Sequence, residues 1–332
     1  MNNSILDIRN LKVRFNTFNG VVQAVRGVGF HIGEGETLAI VGESGCGKSV
    51  TALSIMRLID APGEIYEGTI TLNGKNLIQC SEKQLLNIRG KEVSMIFQDP
   101  MTCLNPTMKI GHQIEESLKK HRKIRDSDSN KMAIELLQSV KIPNAEFRIN
   151  QFPFQFSGGM RQRAMIAVAL SCNPSLLIAD EPTTALDVTI QSQIIDLLND
   201  IQNDTQLSIL LITHDLGVVA DIAERVAIMY AGKILEEGNV EEVYYNPKHP
   251  YTIGLLNSVP KFVDNERVRL QQINGTPPDL INPPKACPFI YRCNHAMRIC
   301  GVIYPDKYQI KDDHYVNCWL MHKKFKKIIE DS

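Results

Sequence analysis

The chain has 332 residues, 43% of them apolar and 22% charged, with a formal net charge of −1. That composition suits one large or two modest globular domains; it excludes the strongly basic field of a nucleic-acid binder, and no run of about 18 apolar residues is present to span a membrane. The start, Met1-Asn2-Asn3-Ser4-Ile5-Leu6-Asp7, lacks the basic and apolar regions of a signal peptide, so the expectation is a cytosolic chain whose eight cysteines are thiols or metal ligands rather than disulfides.

Residues 5–9, 11–15 and 24–30 alternate as strands, punctuated by Asn16, Asn19 and Gly20. The apolar run 37–41 predicts a buried strand and residues 50–56 a helix. Between them lies Gly42-Glu43-Ser44-Gly45-Cys46-Gly47-Lys48-Ser49. Strand, glycine-rich loop, Lys-Ser and helix form the context of a phosphate-binding P-loop. Glycines let successive N–H groups turn toward phosphate oxygens, and the helix N-terminus adds partial positive charge. Lys48 is placed to reach the β- and γ-phosphates, and the Ser49 hydroxyl to ligate Mg²⁺. The nucleotide set is Gly42, Glu43, Ser44, Gly45, Cys46, Gly47, Lys48, Ser49 and Val50. Cys46 reads either as an accessible thiol with a lowered pKa or as a small residue tolerated at a variable position.

A short strand at 68–72 closes on the hairpin signal Asn73-Gly74, and Ser81-Glu82-Lys83-Gln84 starts a helix. Residues 93–97 read as a buried strand ending at Gln98-Asp99-Pro100. Residues 110–120, 131–140 and 162–170 have helical periodicity, with 126–130 as a polar linker. Strands return at 175–179 and 208–212 around a helix near 189–203, followed by a hairpin over 226–236. Buried strands alternating with helices, plus a helical insertion near 105–165, predict an α/β nucleotide-binding domain over 1–258. From 259 to 332 prolines accumulate and periodicity fades, marking a separate irregular extension.

Two further stations carry chemistry. The strand Leu176-Leu177-Ile178-Ala179 runs into Asp180-Glu181, placing Asp180 near Mg²⁺ and Glu181 where it can orient or deprotonate the attacking water. An acidic turn after a buried strand is the plainer reading, and the preceding P-loop tips the balance. Phe156-Ser157-Gly158-Gly159-Met160 precedes a helix and makes a second anion-binding N-terminus. Two such ends in one chain fit a sandwich in which ATP lies between two subunits.

Taken together, these motifs resemble the ATPase subunit of an ABC transporter, with Walker A, Walker B and signature motifs in order. The fold implied is an ABC-type core with an antiparallel β subdomain, a helical insertion and a small cysteine-containing C-terminal domain. The usual signature Leu-Ser-Gly-Gly-Gln is here Phe156-Ser157-Gly158-Gly159-Met160, so its outer positions depart while Ser157, Gly158 and Gly159 stand. The resemblance also implies Gln98 as the Q-loop glutamine sensing Mg²⁺ and water, Ala185-Leu186-Asp187 as the D-loop, His214 as the switch histidine and Phe15 as the adenine-stacking aromatic, with Phe18 competing. The runs from Phe97 to Pro106 and from Ala179 to Thr189, and Lys248-His249-Pro250-Tyr251-Thr252, resemble the dipeptide/oligopeptide permease ATPases, the D-type subunit. Nickel and antimicrobial-peptide transporters share much of this pattern. Soluble ABC ATPases of repair or translation fit less well, because the chain has one ATPase half and no long insertion; a non-hydrolysing regulatory subunit is disfavoured by Glu181 and His214. The resemblance implies a heterodimer with a second homologous ATPase, two transmembrane permeases, an extracytoplasmic peptide-binding protein and a peripheral place on the cytoplasmic face of the plasma membrane, with no nucleic acid as partner.

Cys287, Cys293, Cys300 and Cys318 crowd the proline-rich extension. A segment with so little apolar periodicity suggests cross-linking by a metal centre. Structural zinc normally uses closer cysteine pairs, and the wider spacing suits an iron–sulfur cube, although it does not match the bacterial ferredoxin run. The resemblance implies a 4Fe–4S cluster on these four cysteines. The basic end, residues 322–327, reads as a solvated tail or as a contact with anionic lipid or the partner subunit.

Overall fold

A computed structural model describes residues 4–184, 186–258, 272–323 and 325, with backbone alone at 126 and 127. Its strands are β1 (Ser4–Thr17), β2 (Gly20–Gly33), β3 (Thr37–Val41), β4 (Gly63–Leu72), β5 (Lys75–Asn76), β6 (Val93–Ile96), β7 (Leu176–Asp180), β8 (Ser208–Thr213), β9 (Arg225–Tyr230), β10 (Lys233–Asn239), β11 (Tyr308–Lys311) and β12 (His314–Val316). They form two sheets. One is antiparallel, in the order β2-β1-β4-β5; the other runs β11-β12-β10-β9-β3-β8-β7-β6. In the larger sheet β9, β3, β8, β7 and β6 are parallel, and β10, β12 and β11 extend it antiparallel.

The parallel strands are buried along their whole length because both faces are covered, which is why they appear as unbroken apolar runs. Alternate residues serve opposite layers. Leu38, Ile40, Leu176, Ile178, Leu210 and Ile212 face the antiparallel sheet and share a core with Leu6, Ile8 and Val13. Ala39, Val41, Leu177, Ala179, Ile209 and Leu211 face the helices. The carboxyl ends of β3, β8, β7 and β6 open on one crevice, the usual ligand position in an open α/β sheet.

The insertion contains the helices Ile110–Arg122, Asp126–Ser139 and Gly158–Leu170. The expected linker over 126–130 is instead the first turn of the second helix. Ser, Asp and Asn favour helix starts as well as loops, and the apolar positions that reveal the helix, Ala133 and Leu137, lie beyond that turn.

The cysteine-bearing extension is less irregular than its prolines suggest. The β11–β12 hairpin pairs with β10 and completes the main sheet, and Cys287, Phe289 and Cys300 join the helix-side core. Buried Glu236 on β10 anchors it: its carboxylate accepts from the backbone N–H of Lys248 (2.8 Å) and of His249 (2.9 Å) and lies 2.8 Å from His314 Nε2. The expected start of the extension at 259, Ala185 of the D-loop and Lys324, Lys326 and Lys327 of the basic end lie outside the described residues. Among the described residues no helix is long and apolar enough to cross a membrane.

Candidate functional site

The P-loop follows β3 and runs into the helix Lys48–Ile55, whose N-cap is Gly47 at φ 106°. Two glycines are required for different reasons. A Cβ at Gly42 would stand 2.0 Å from the Met229 carbonyl oxygen on β9, so this position needs close backbone approach. Gly47 combines a left-handed backbone with a Cβ site 2.4 Å from the Ala24 carbonyl. Buried Lys48 folds its ammonium back onto the loop, donating to the carbonyls of Gly42 (2.7 Å) and Glu43 (3.2 Å).

The ends of the neighbouring strands converge on this helix. Ser49 Oγ donates to Asp180 Oδ1 at 3.1 Å, joining the P-loop to the end of β7. Burial pushes the Asp180 carboxyl above the usual range; the Ser49 hydrogen bond opposes this and the neighbouring Glu181 charge adds to it. A polarised hydroxyl beside a carboxylate is the oxygen donor pair that suits a hard cation. Glu181 has a left-handed backbone (φ 47°), a conformation uncommon for glutamate and one that re-aims the side chain after the strand. Its Oε2 accepts from Gln98 Nε2 (2.9 Å) and Thr184 Oγ1 (2.9 Å), and its Oε1 lies 3.3 Å from His214 Nδ1. Burial alone would raise this carboxyl, but the hydrogen bonds from Thr184 and His214 outweigh it and hold Glu181 below the ordinary glutamate range. His214 itself is largely exposed, its side chain 62% accessible, at the end of β8.

Lys48, Ser49, Gln98, Asp180, Glu181 and His214 are thus brought into one cluster. Ser157, Gly158 and Gly159 stand apart from it. Ser157 caps the helix Gly158–Leu170 by accepting from the Met160 N–H at 3.3 Å, and a Cβ at Gly158 or Gly159 would meet Leu186 or Ile190. Asp187 caps the helix Val188–Thr205 through the Ile190 N–H. Phe15 lays its ring over Gly63 and is half-buried, whereas Phe18 is fully exposed in the next turn. The reading of Cys46 as an accessible, acidified thiol is overturned: it is 5% exposed, and burial pushes its pKa up. Its side chain turns inward against Gly42, away from the open face of the loop.

Known proteins share this arrangement along almost the whole chain. The ABC transporter family pattern matches residues 25–184, and that of the oligopeptide/dipeptide transporter C-terminal region matches residues 235–300. The oligopeptide transport ATP-binding protein OppD of Bacillus subtilis is 56% identical over 98% of this chain and 91% of its own length. The dipeptide transport ATP-binding protein DppD of the same organism is 52% identical over 96% of each chain. This chain belongs to the ATP-binding subunits of peptide ABC transporters. It is an ABC-type ATPase, and its core superposes with a TM-score of 0.64 on the ATP-binding cassette MJ0796 in a post-hydrolysis dimer bound to ADP and Pi, at 27% identity over 71% of this chain and 98% of that one.

In this peptide-transporter ATPase a second constellation lies in the cysteine-bearing extension. Cys287, Cys293, Cys300 and Cys318 line one small gap together with His249, His295 and Trp319. The Ile290 N–H donates to the Cys287 carbonyl at 3.3 Å, and the N–H groups of Phe289, His295 and Leu320 favour the ionised forms of Cys287, Cys293 and Cys318 against the burial that opposes them. Burial pushes the Cys287 thiol up to about 11 and Cys318 up to about 12. His249 is buried; its Nδ1 accepts the Tyr251 N–H at 3.0 Å, which leaves the ring proton on Nε2, and Nε2 has no partner. Among the described residues no group of three or more His, Cys, Asp or Glu is arranged around a single ion. Four thiols thus share one small gap with the unpartnered Nε2 donor of His249.

Sequence reading missed Thr184, Tyr251 and Arg292 as site residues. Thr184 had a signal, since a hydroxyl three residues after the strand-end glutamate can return to it. Tyr251 stood within the Lys248–Thr252 run, but neither its contact with the P-loop nor that of Arg292 had a signal, because the partner, Glu43, is more than 200 residues away.

Proposed function

We propose that this ATPase drives the uptake of dipeptides or oligopeptides, working at the cytoplasmic face of the plasma membrane. In this reading its partners are a second, homologous ATPase subunit, two membrane permeases and an extracytoplasmic peptide-binding protein. Support comes from the names of the relatives and from the match over the C-terminal region. The ATPase chemistry rests on one observation: a Glu181 carboxylate held below the ordinary range by Thr184 and His214, and hydrogen-bonded by Gln98, beside the Ser49–Asp180 pair.

Glu181 orients the attacking water and accepts its proton. His214 and Gln98 fix the carboxylate and read the γ-phosphate and the water. Lys48 leaves the Gly42 and Glu43 carbonyls for phosphate oxygens, and Phe15 offers its ring to adenine. Ser49, Asp180 and Gln98 would hold Mg²⁺, which supplies charge neutralisation of the phosphates when bound. Ser157, Gly158 and Gly159 present a capped helix N-terminus to the nucleotide of the opposite subunit, with Asp187 beside that junction. ATP thus contacts both subunits and favours their closed state, and hydrolysis removes the bridge. The ATPase domain occupies 1–258, with 105–165 as its helical arm toward the permeases. Replacing Glu181 by Gln keeps the shape and removes the base. Turnover should fall by orders of magnitude while ATP still binds; near-normal turnover would reject the role.

We further propose that Cys287, Cys293, Cys300 and Cys318 hold a 4Fe–4S cluster with a structural or redox-sensing role in the 259–332 extension. The shared gap, the N–H groups that favour ionised sulfur and the unpartnered His249 Nε2 support it. Anaerobic purification should yield about four iron and four sulfide per chain, lost on Cys293→Ser. Stoichiometric zinc without iron would contradict the assignment.

A further inference from the structure

Glu43 is an awkward residue for a loop that receives a polyphosphate. Its carboxylate adds negative charge where negative charge must bind, and its N–H is one of the loop's own donors. Both groups are taken up by distant parts of the chain. Its N–H donates to the hydroxyl of Tyr251 at 3.0 Å, and Tyr251 is fully buried at the start of the helix Pro250–Asn257. Its carboxylate Oε2 accepts from Arg292 Nη1 at 2.8 Å. The Glu43 carbonyl, in turn, accepts from the Cys46 N–H at 3.3 Å and from Lys48 Nζ. The N–H, the carbonyl and one carboxylate oxygen of Glu43 are therefore all held.

Arg292 is built for this contact. Its side chain is 6% exposed, and it donates to the carbonyls of Asn274 (2.9 Å) and Ile273 (3.2 Å) and to the Tyr230 hydroxyl (3.2 Å). It closes the short turn Ile290–Arg292, capped by Cys293, so the residue next in sequence is one of the four cysteines. The guanidinium is thus pre-positioned by the extension before it meets the loop, and a forked, always-charged donor suits a carboxylate held in place.

We propose that Arg292 is a positioning residue of the ATP site: it neutralises Glu43 and pins the P-loop backbone, making the cysteine-bearing extension a working part of nucleotide binding. This rests on the reading of the P-loop as an ATP site and goes beyond it. Removing the guanidinium leaves an uncompensated carboxylate facing the phosphates. Removing both charges abolishes the repulsion, whereas a loss of packing alone would persist.

The test is equilibrium binding of radiolabelled ATP with Mg²⁺ to the full-length chain, purified anaerobically, at low and high salt. Arg292→Met should weaken ATP binding about tenfold, within the range of coupling between linked sites. The added variant Glu43→Gln in the Arg292→Met background should recover most of that loss, and the defect of Arg292→Met should shrink at high salt. Unchanged affinity in Arg292→Met would overturn the proposal. Equal weakness of the single and double variants, independent of salt, would also overturn it by reducing Arg292 to a packing role. A wild-type chain that fails to bind ATP would remove the functional reading itself and this inference with it.

Discussion

Gly42 and Gly45 both belong to the P-loop, yet the structure predicts different costs for giving each a methyl group. At Gly42 the new Cβ would sit 2.0 Å from the Met229 carbonyl oxygen and 2.8 Å from Cys46 Sγ. Met229 is backbone of a buried parallel strand, so the loop must yield, by about 1 Å or more before the contact becomes tolerable. Displacements of that size in a binding constellation cost on the order of a hundredfold, and overpacking of this kind adds about 1–3 kcal/mol of destabilisation. At Gly45 a Cβ would meet nothing within 4 Å, and only the backbone angle of +75° is unfavourable. That term is about 1–2 kcal/mol, a factor of at most about thirty even if all of it fell on the binding-competent loop. Titration of each variant with a fluorescent ATP analogue, alongside thermal melting, separates the two cases. Gly42→Ala should lose nucleotide binding and melt earlier; Gly45→Ala should bind more weakly than wild type but better than Gly42→Ala, with nearly wild-type melting. Wild-type affinity in Gly42→Ala, or a larger loss in Gly45→Ala, would refute the assignment of Gly42 to close approach on β9.

Thr184→Ala removes one of the hydrogen bonds that hold the Glu181 carboxyl below the ordinary range, so its pKa should rise and the acid limb of the ATPase profile should move to higher pH; an unmoved limb would mean that Thr184 does not act through Glu181. Because a depressed carboxyl contributes stability that is present above its unfolded pKa and lost as pH falls through its folded one, Glu181 should stabilise the wild type at neutral pH and cease to do so in acid. Glu236→Ala should destabilise the chain by about 2–5 kcal/mol in chemical denaturation, since it strands the N–H groups of Lys248 and His249 and leaves His314 unpaired in the core; a cost below about 1 kcal/mol would show that the anchor is dispensable. Ser157→Ala should cost about 1 kcal/mol through the lost cap and weaken ATP-dependent pairing of the ATPase subunits, measured by sedimentation; full pairing would separate Ser157 from the nucleotide.

Much of the ATP site was legible because it is written in local patterns. A buried strand must be apolar, a phosphate loop must contain glycine at particular places, and carboxylates at strand ends fall into the same crevice whatever the rest of the fold does. The misreadings share another cause. Residues 126–130 have a composition common to loops and helix starts, and only the apolar residues further on decide between them. Cys46 lies in a loop that binds anions, but its side chain turns inward, and no sequence pattern reports that direction. The extension looked irregular because β11 and β12 are only four and three residues long, and β10, on which β12 pairs, lies about 80 residues earlier. The contacts of Arg292 and Tyr251 with Glu43 were invisible for the same reason: only the folded chain brings them there.

The central claim is that ATP hydrolysed at Glu181 moves peptides across a membrane. The most direct measurement is uptake of a labelled di- or oligopeptide into proteoliposomes containing this chain, its partner ATPase and the permeases, with ATP enclosed and the binding protein supplied outside with the peptide. The account predicts ATP-dependent accumulation that Glu181→Gln abolishes while nucleotide binding persists. Peptide accumulation that continues undiminished with Glu181→Gln, or ATP-dependent transport of nickel with no movement of peptide, would contradict it.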